Sequence, residues 1–169
     1  MARAYFNETQ RFQQWWIYLI IALTIVSWGY AFISSIHADE PDKATDDYIL
    51  ILTSLVPVLL IFLMLSLRLV TKIRNDGLYV QFKPLQFKEK HIKPEEINSF
   101  EVRKYKPIME YGGWGIRTGG RKYGKAYNVS GNMGLQLYLK NGKKLLIGTQ
   151  KPRGVEKAMN DMMEVLAQK

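Results

Sequence analysis

The sequence predicts an α+β, mainly β protein, in which an N-terminal helical hairpin crosses a membrane twice and a β domain follows, closed by a C-terminal helix. Three observations support this fold class. Two long runs without charge occupy the first 70 residues, apolar and polar residues alternate in the body that follows, and a helical period returns at the end of the chain. The charge is divided in the same way: the overall +9 is the sum of −2 up to residue 70 (4 basic, 6 acidic) and +11 from Thr71 onward (20 basic, 9 acidic).

The two charge-free runs are each long enough to span a membrane as a helix. They cover Trp15–Ile36, with 22 residues, and Tyr48–Leu67, with 20 residues. At about 1.5 Å per helical residue, either run can cross a hydrocarbon core of ~30 Å. A cleaved signal peptide has a shorter apolar core and would leave the second run unexplained. We therefore expect residues 1–69 to form a tail and a two-span hairpin, with the spans at about 15–36 and 48–67.

The charged residues beside these runs predict how the hairpin is oriented. The connector His37–Asp47 carries five acids and one lysine, whereas basic residues precede the first run and follow the second. Because positively charged flanks stay on the cytoplasmic side, we expect a multi-pass membrane protein with both termini in the cytoplasm. Neither run has an ionisable residue at its centre, so the hairpin is most simply an anchor. The alternative is an accessory subunit of a transporter or channel that acts through its spans.

Residues 70–169 form the predicted β domain, in which about seven short segments show strand character. Asn141-Gly142 separates two of them, which is the strongest local signal for a β-hairpin in the chain. The pattern predicts an antiparallel β-sandwich or open barrel. The predicted strands are Leu78–Phe82, a segment around Phe87, Phe100–Tyr105, Trp114–Arg117, Lys125–Val129, Leu135–Leu139 and Lys143–Gly148.

The last segment of the chain has the period of an amphipathic helix. From Val155, apolar residues recur at Ala158, Met159, Met162 and Leu166, which places them on one face of about four turns. The opposite face carries both acidic and basic residues. A mixed polar face favours packing on the β domain over lying on a membrane surface.

The segment Tyr111–Gly134 is unusual because it holds eight of the 13 glycines, together with four aromatic and four basic residues. Gly119, Gly124 and Lys125 match the spacing of a phosphate-binding loop, G-x-x-x-x-G-K followed by Ser or Thr. Ala126 stands where the magnesium-binding hydroxyl is required, and the residues after it predict a strand or turn instead of a helix. A nucleotide-binding enzyme is therefore only the third hypothesis.

No other catalytic constellation is visible in the sequence. The chain has no cysteine, and its two histidines, His37 and His91, have no metal-ligand spacing with each other or with a carboxylate. We therefore predict a protein that is not an enzyme and that has no cofactor and no metal site. Nucleic acid is not the expected partner either, because the basic residues are spread over many predicted strands.

Three blocks in the second half of the chain suggest a family. They are GGWGIR at Gly112–Arg117, AYNVSGN at Ala126–Asn132 and IGTQKP at Ile147–Pro152. Together with the two predicted spans, the chain resembles the membrane-anchored bacterial pleckstrin-homology-like (PH-like) proteins, a group without assigned chemistry. The resemblance covers the chain from about Val70 and implies a PH-like fold, a bacterial inner-membrane location and an interaction module.

The predicted function is therefore a membrane-anchored scaffold at the cytoplasmic face that binds a partner protein or anionic lipid. Its expected partners are the bilayer, anionic lipid head groups, and a membrane protein or a second copy of the chain. Flexible basic residues could hold the domain against an anionic surface, and aromatic residues could dock a protein. The glycines could also make only turns between strands. The candidate binding residues are Trp114, Arg117, Arg121, Lys122, Tyr123, Lys125 and Tyr127.

Overall fold

The computed structural model describes residues 4–12, 15–37, 55 and 58–167, and it divides the chain into two compact units. The first unit combines Met1–Phe12 with Leu67–Lys169, and the second is Gln13–Ser66. Two helices of the second unit are described, α1 (Trp15–His37) and α2 (residues 58–66). Most of the described side chains of α1 are exposed.

The structure contradicts the predicted two-span hairpin. Among the described residues, no helix combines the length and the apolar character that a membrane crossing needs. Of the second predicted span, only residues 55 and 58–66 are described as helix. The multi-pass inner-membrane location, the cytoplasmic termini inferred from it and the membrane anchor are withdrawn with the hairpin.

The first sheet has four antiparallel strands in the order β1-β2-β3-β4. They are β1 (Ala4–Arg11), β2 (Arg68–Arg74), β3 (Gly77–Lys83) and β4 (Lys90–Ile92). The turn before Gly77 joins β2 to β3, and Leu69, Ile73 and Leu78 are buried from these strands. Of the four strands, β1 and β2 were not among the predicted ones.

The second sheet has five strands in the order β5-β8-β9-β7-β6. Its β7 and β9 run parallel, whereas its other pairs are antiparallel. The described part of the chain thus has nine strands with one parallel pair, which differs from the predicted antiparallel set of about seven. The parallel pair arises because β7 returns from the glycine-rich segment to the far side of the β8–β9 hairpin. The strands are β5 (Ile97–Lys104), β6 (Gly115–Thr118), β7 (Lys125–Asn128), β8 (Met133–Leu139) and β9 (Lys144–Gly148).

Three short helical segments and one long helix complete the first unit. A 3-10 turn at Pro94–Glu96 leads into β5, α3 (Pro107–Tyr111) follows β5, and α4 (Gly120–Tyr123) joins β6 to β7. The predicted amphipathic helix is present as α5 (Pro152–Ala167). Its apolar face is buried at Val155, Ala158, Met159 and Met162 and contacts strands of both sheets; the side chain of Leu166, the fifth predicted member, lies outside the described residues.

Polar side chains of β1 hold the two sheets and α5 together. The Glu8 carboxylate accepts hydrogen bonds from the Thr149 hydroxyl (2.7 Å) and from the Gln150 amide (2.8 Å), just before α5 begins. The Gln10 side-chain amide donates to the Gly148 carbonyl at 2.7 Å. Both side chains are buried. A carboxylate at this end of a helix also meets the positive end of the helix dipole.

Candidate functional site

The glycine-rich segment is built into the second sheet as the hairpin β6–α4–β7. Its glycines allow close backbone approaches: a Cβ at Gly119 would collide with the Glu110 carbonyl, and one at Gly124 with the Lys144 carbonyl. Gly124 also has φ 77° and ψ −152°, a conformation that is essentially restricted to glycine. These two glycines are therefore required by packing.

The loop between these glycines uses three of its amides for hydrogen bonds within itself. The Gly119 amide donates to the Gly124 carbonyl at 2.7 Å, the Tyr123 amide to Gly119 at 3.3 Å and the Gly124 amide to Gly120 at 2.9 Å. The Lys144 ammonium closes the same turn by donating to the Lys122 carbonyl at 3.0 Å. Because these amides are used within the loop, the match to a phosphate-binding motif is one of spacing alone.

The aromatic residues of the segment point largely inward. Tyr123 is half-buried and packs on Tyr111, with ring centroids 5.9 Å apart, and Tyr111 packs on Tyr105 at 6.1 Å. Tyr127 is fully buried, so this predicted binding residue is a core residue. Burial raises the pKa of Tyr105 to about 12.

The predicted basic residues do not converge on one site. Arg117, Arg121, Lys122 and Lys125 are exposed, and each of the contacts described for them is local. Arg117 Nε donates to the Trp114 carbonyl at 2.9 Å, and the Lys122 ammonium lies 5.1 Å from the Tyr123 ring centroid. The hairpin thus spreads its charges over its own surface.

Trp114 is the predicted residue that lines a cavity. Its indole Nε1 donates to the Gly131 carbonyl at 3.3 Å, which holds the half-buried ring beside α3. Together they border a groove of about 470 Å³, which we call the α3 groove. It is lined by Lys104, Tyr105, Lys106, Pro107, Ile108, Met109, Glu110, Trp114 and Asn132.

Two apolar side chains of the α3 groove face solvent. Ile108 is 66% exposed and Met109 is 77% exposed. They are neighbours on a helix of five residues that begins with Pro107. Gly112 follows the last helical residue and adopts the left-handed conformation with φ 70°. Proline at the first helical position and glycine after the last are the usual start and stop of such a helix.

Polar contacts of Glu110 fix α3 in place. Arg103 donates to Glu110 at 2.7 Å and to the Gln136 side chain at 3.0 Å, and Glu110 also accepts the Lys106 amide at 2.8 Å. Burial acts to raise the pKa of Glu110, but the hydrogen bonds from Arg103 and the Lys106 amide outweigh it and lower the pKa. Glu110 is therefore ionised and paired at neutral pH.

The α3 groove carries positive charge. Glu110 is the acid among its lining residues, and Arg103 neutralises it, whereas Lys104 and Lys106 are exposed at the rim. The Tyr105 side chain, which lines the groove, is buried, and its hydroxyl makes no well-aligned hydrogen bond among the described residues, although the Asn128 side chain lies nearby. The result is an apolar floor with two lysines beside it.

Except for Trp114, the groove residues were not among the predicted candidates. The sequence did hold a local signal, because KPIMEYGG at Lys106–Gly113 has the proline and glycine of a short helix. Nothing in it reveals that Ile108 and Met109 are exposed, since exposure depends on the pairing of β5 with β8 that brings Asn132 beside Tyr105.

Comparison with models of protein families, with curated proteins and with solved structures found no significant match. The resemblance to PH-like proteins therefore stays a prediction, and the function must be argued from the geometry of the chain itself.

Proposed function

We propose that this chain is a non-enzymatic interaction module whose α3 groove binds a short acidic segment of a partner protein through apolar anchors. The observation that carries this proposal is the pair Ile108 and Met109. These two large apolar side chains are exposed on α3, a helix that the Arg103–Glu110 contact holds in place. A binding partner would remove their surface from water, which favours association by roughly 25 cal/mol per Å² before the losses of binding are counted.

The shape and chemistry of the groove favour a peptide. About 470 Å³ is large enough for one or two side chains but is open along α3. Met109 can adapt its conformation to different apolar anchors, and Trp114 offers a flat face of the kind that is frequent in binding hot spots. We propose that one apolar side chain of the partner inserts between Met109 and Trp114.

The charge of the groove selects the partner's flanking residues. Lys104 and Lys106 attract acids on either side of the apolar anchor, while the paired Glu110 adds no free negative charge. Such complementarity contributes more to specificity and association rate than to affinity. The same charge disfavours a basic partner, including the basic surfaces of a second copy of this chain.

The resemblance to PH-like proteins supports an interaction role, because it implies two sheets with a C-terminal helix that display binding surfaces. The α5 helix and the two sheets are compatible with that fold, whereas the added strands and the parallel β7–β9 pair depart from it. We include a PH-like scaffold in the proposal, without the membrane anchor.

A selection from a random peptide library tests the proposal with the full chain as bait. We expect enrichment of peptides that combine an aromatic or aliphatic anchor with flanking Asp and Glu. A double variant, Ile108→Ser/Met109→Ser, should bind the enriched peptides at least tenfold more weakly in a fluorescence polarisation assay. Lys104→Gln/Lys106→Gln should weaken acidic peptides and leave neutral ones nearly unchanged.

The matched control is Leu85→Ser/Phe87→Ser, which removes another exposed apolar pair, in the turn that follows β3. It should bind the peptides as the unaltered protein does. Enrichment without an acidic bias, or equal binding by the groove variant, would refute the proposed site.

A further inference from the structure

A second exposed apolar feature lies between β3 and β4, in residues 84–89, which we call the 84–89 loop. Phe87 is 95% exposed and Leu85 is 55% exposed. Both lie in the turn that follows β3 and line neither of the described cavities. Two exposed apolar side chains in one short loop are a candidate contact surface.

Gln86, which lies between Leu85 and Phe87, fixes the conformation of the loop in which they are exposed. Gln86 turns inward: its side-chain oxygen accepts the Phe82 amide at 3.2 Å, and its side-chain nitrogen donates to the Tyr127 hydroxyl at 3.3 Å. The buried Gln81 donates to the carbonyls of both Gln86 and Phe87 at 3.0 Å. Because Gln86 is anchored to both sheets, Leu85 and Phe87 on either side of it face outward.

Positive charge surrounds the 84–89 loop. The strand register places Arg11 opposite Arg68 and Arg68 opposite Lys83, and all three side chains are exposed at the end of the sheet from which the loop extends. Like charges in neighbouring register positions repel one another. An anionic surface would relieve this repulsion.

More lysines lie within the loop and at its base. Lys88 is exposed next to Phe87. The ammonium groups of Lys90 and Lys125 lie 5.9 and 5.3 Å from the ring centroid of Tyr127, whose hydroxyl meets Gln86. The acid of the loop, Glu89, is paired with Lys72 at 2.5 Å and adds no free negative charge.

We propose that the 84–89 loop docks on an anionic lipid surface, with Leu85 and Phe87 among the head groups and the surrounding cations against the lipid phosphates. Leu85 and Phe87 are exposed and line no described cavity, and a fluid interface can close around such side chains. Apolar insertion and attraction to anionic lipid act together in such peripheral contacts. The contact needs no helix that spans the bilayer, and it uses no residue of the α3 groove.

Site-specific fluorescence tests this proposal in the full chain. Because the protein has no cysteine, Phe87→Cys gives one site for an environment-sensitive dye such as NBD. Asn141→Cys, in the exposed turn between β8 and β9, is the matched control. The probes are vesicles of phosphatidylcholine alone and vesicles with about one third phosphatidylglycerol, a share that gives a clearly anionic surface.

We expect the dye at position 87 to brighten and shift to the blue with anionic vesicles, with little change in neutral vesicles or at position 141. Replacing Arg11, Arg68 and Lys83 by glutamine should lower the affinity for anionic vesicles, measured by titration of this response, on the order of a hundredfold. Each well-placed cation contributes roughly a factor of five to that affinity. Circular dichroism and binding of the groove peptides would show that this variant is folded.

Two results would overturn the lipid proposal. One is a response at position 87 that is equal in neutral and anionic vesicles or no larger than at position 141. The other is a response to a soluble polyanion such as polyglutamate with none to vesicles, which would assign the loop to an acidic protein instead. Either result leaves the peptide experiment on the α3 groove unaffected, so the two proposals fail separately.

Discussion

The glycine-rich loop at Gly119–Gly124 and helix α3 differ in where they direct their polar and apolar groups. The loop uses its amides within itself and directs Tyr123 toward Tyr111. Helix α3 does the reverse, because Glu110 is tied to the sheet while Ile108 and Met109 face solvent. The loop has the more conspicuous sequence, but α3 has the apolar side chains that face solvent. An exposed apolar group fixed by polar contacts indicates a binding surface more directly than an unusual composition.

The largest expected effect tests whether the loop is structural. Gly124→Ala should lower the free energy of unfolding by about 2–4 kcal/mol, because the added Cβ collides with the Lys144 carbonyl and the backbone conformation suits only glycine. Urea denaturation would measure the change.

Gly120→Ala is the control in the same loop. Gly120 also has a positive φ, 65°, but a Cβ there meets nothing within 4 Å. It should lose only the left-handed backbone preference, about 1 kcal/mol. If the two substitutions lower the free energy of unfolding equally, the close packing of Gly124 against Lys144 does not stabilise the loop.

The next effect tests the fixation of α3. Glu110→Gln should destabilise the protein by roughly 1–3 kcal/mol at neutral pH, since it breaks a charged hydrogen-bond pair with Arg103 that is mostly shielded from solvent. Glu95→Gln, at an exposed position on the 3-10 turn, should change stability by no more than about 0.5 kcal/mol.

The pH dependence gives this prediction a direction. The pKa of Glu110 is lowered in the folded protein, so its contribution is present above the ordinary glutamate value and is lost as the pH falls through the folded one. The difference between the unaltered protein and Glu110→Gln should therefore shrink in acid. A difference that stays constant between neutral pH and a pH below the lowered pKa would contradict the ion pair's role.

Part of this fold could be predicted from local periodicity. The strands around Leu78, Phe100 and Leu135 could be predicted because apolar and polar residues alternate there in sequence, and Leu78 and Leu135 are buried. The strand around Leu145 could be predicted from the Asn141-Gly142 turn that precedes it. Strand β1 could not be found in this way, since its buried face carries Glu8 and Gln10 whose partners lie some 140 residues away. Such long-range polar pairing leaves no local pattern.

The other misses have different physical causes. Strand β2 begins at Arg68, directly after an apolar run that length and composition alone assigned to a membrane, and that assignment is contradicted over the described residues. The α3 groove needs the end of β5, the start of β8 and Trp114 to meet. Tertiary packing decides which side chains remain exposed where these segments come together. The sequence therefore indicated Trp114 without the other residues of the groove.

The smallest expected effect concerns Tyr105, which lines the groove and packs against Tyr111. Its buried hydroxyl makes no well-aligned hydrogen bond among the described residues, although the Asn128 side chain lies nearby, so Tyr105→Phe should change stability at neutral pH by less than about 1 kcal/mol. Tyr111→Phe is the matched control. The Tyr111 hydroxyl donates to the Tyr123 carbonyl at 3.2 Å, and its loss should cost about 0.5–1.5 kcal/mol.

Alkaline pH gives a second test of Tyr105. Because burial raises the pKa of Tyr105 from 10.0 to about 12, the folded protein keeps the neutral phenol while the unfolded chain ionises. Stability should therefore fall as the pH rises from 10 toward 12, and Tyr105→Phe should remove that part of the fall. Chemical denaturation across this range would measure it. If the two proteins lose stability in parallel, the Tyr105 hydroxyl ionises as easily in the folded state, and the region beneath the α3 groove is open to water.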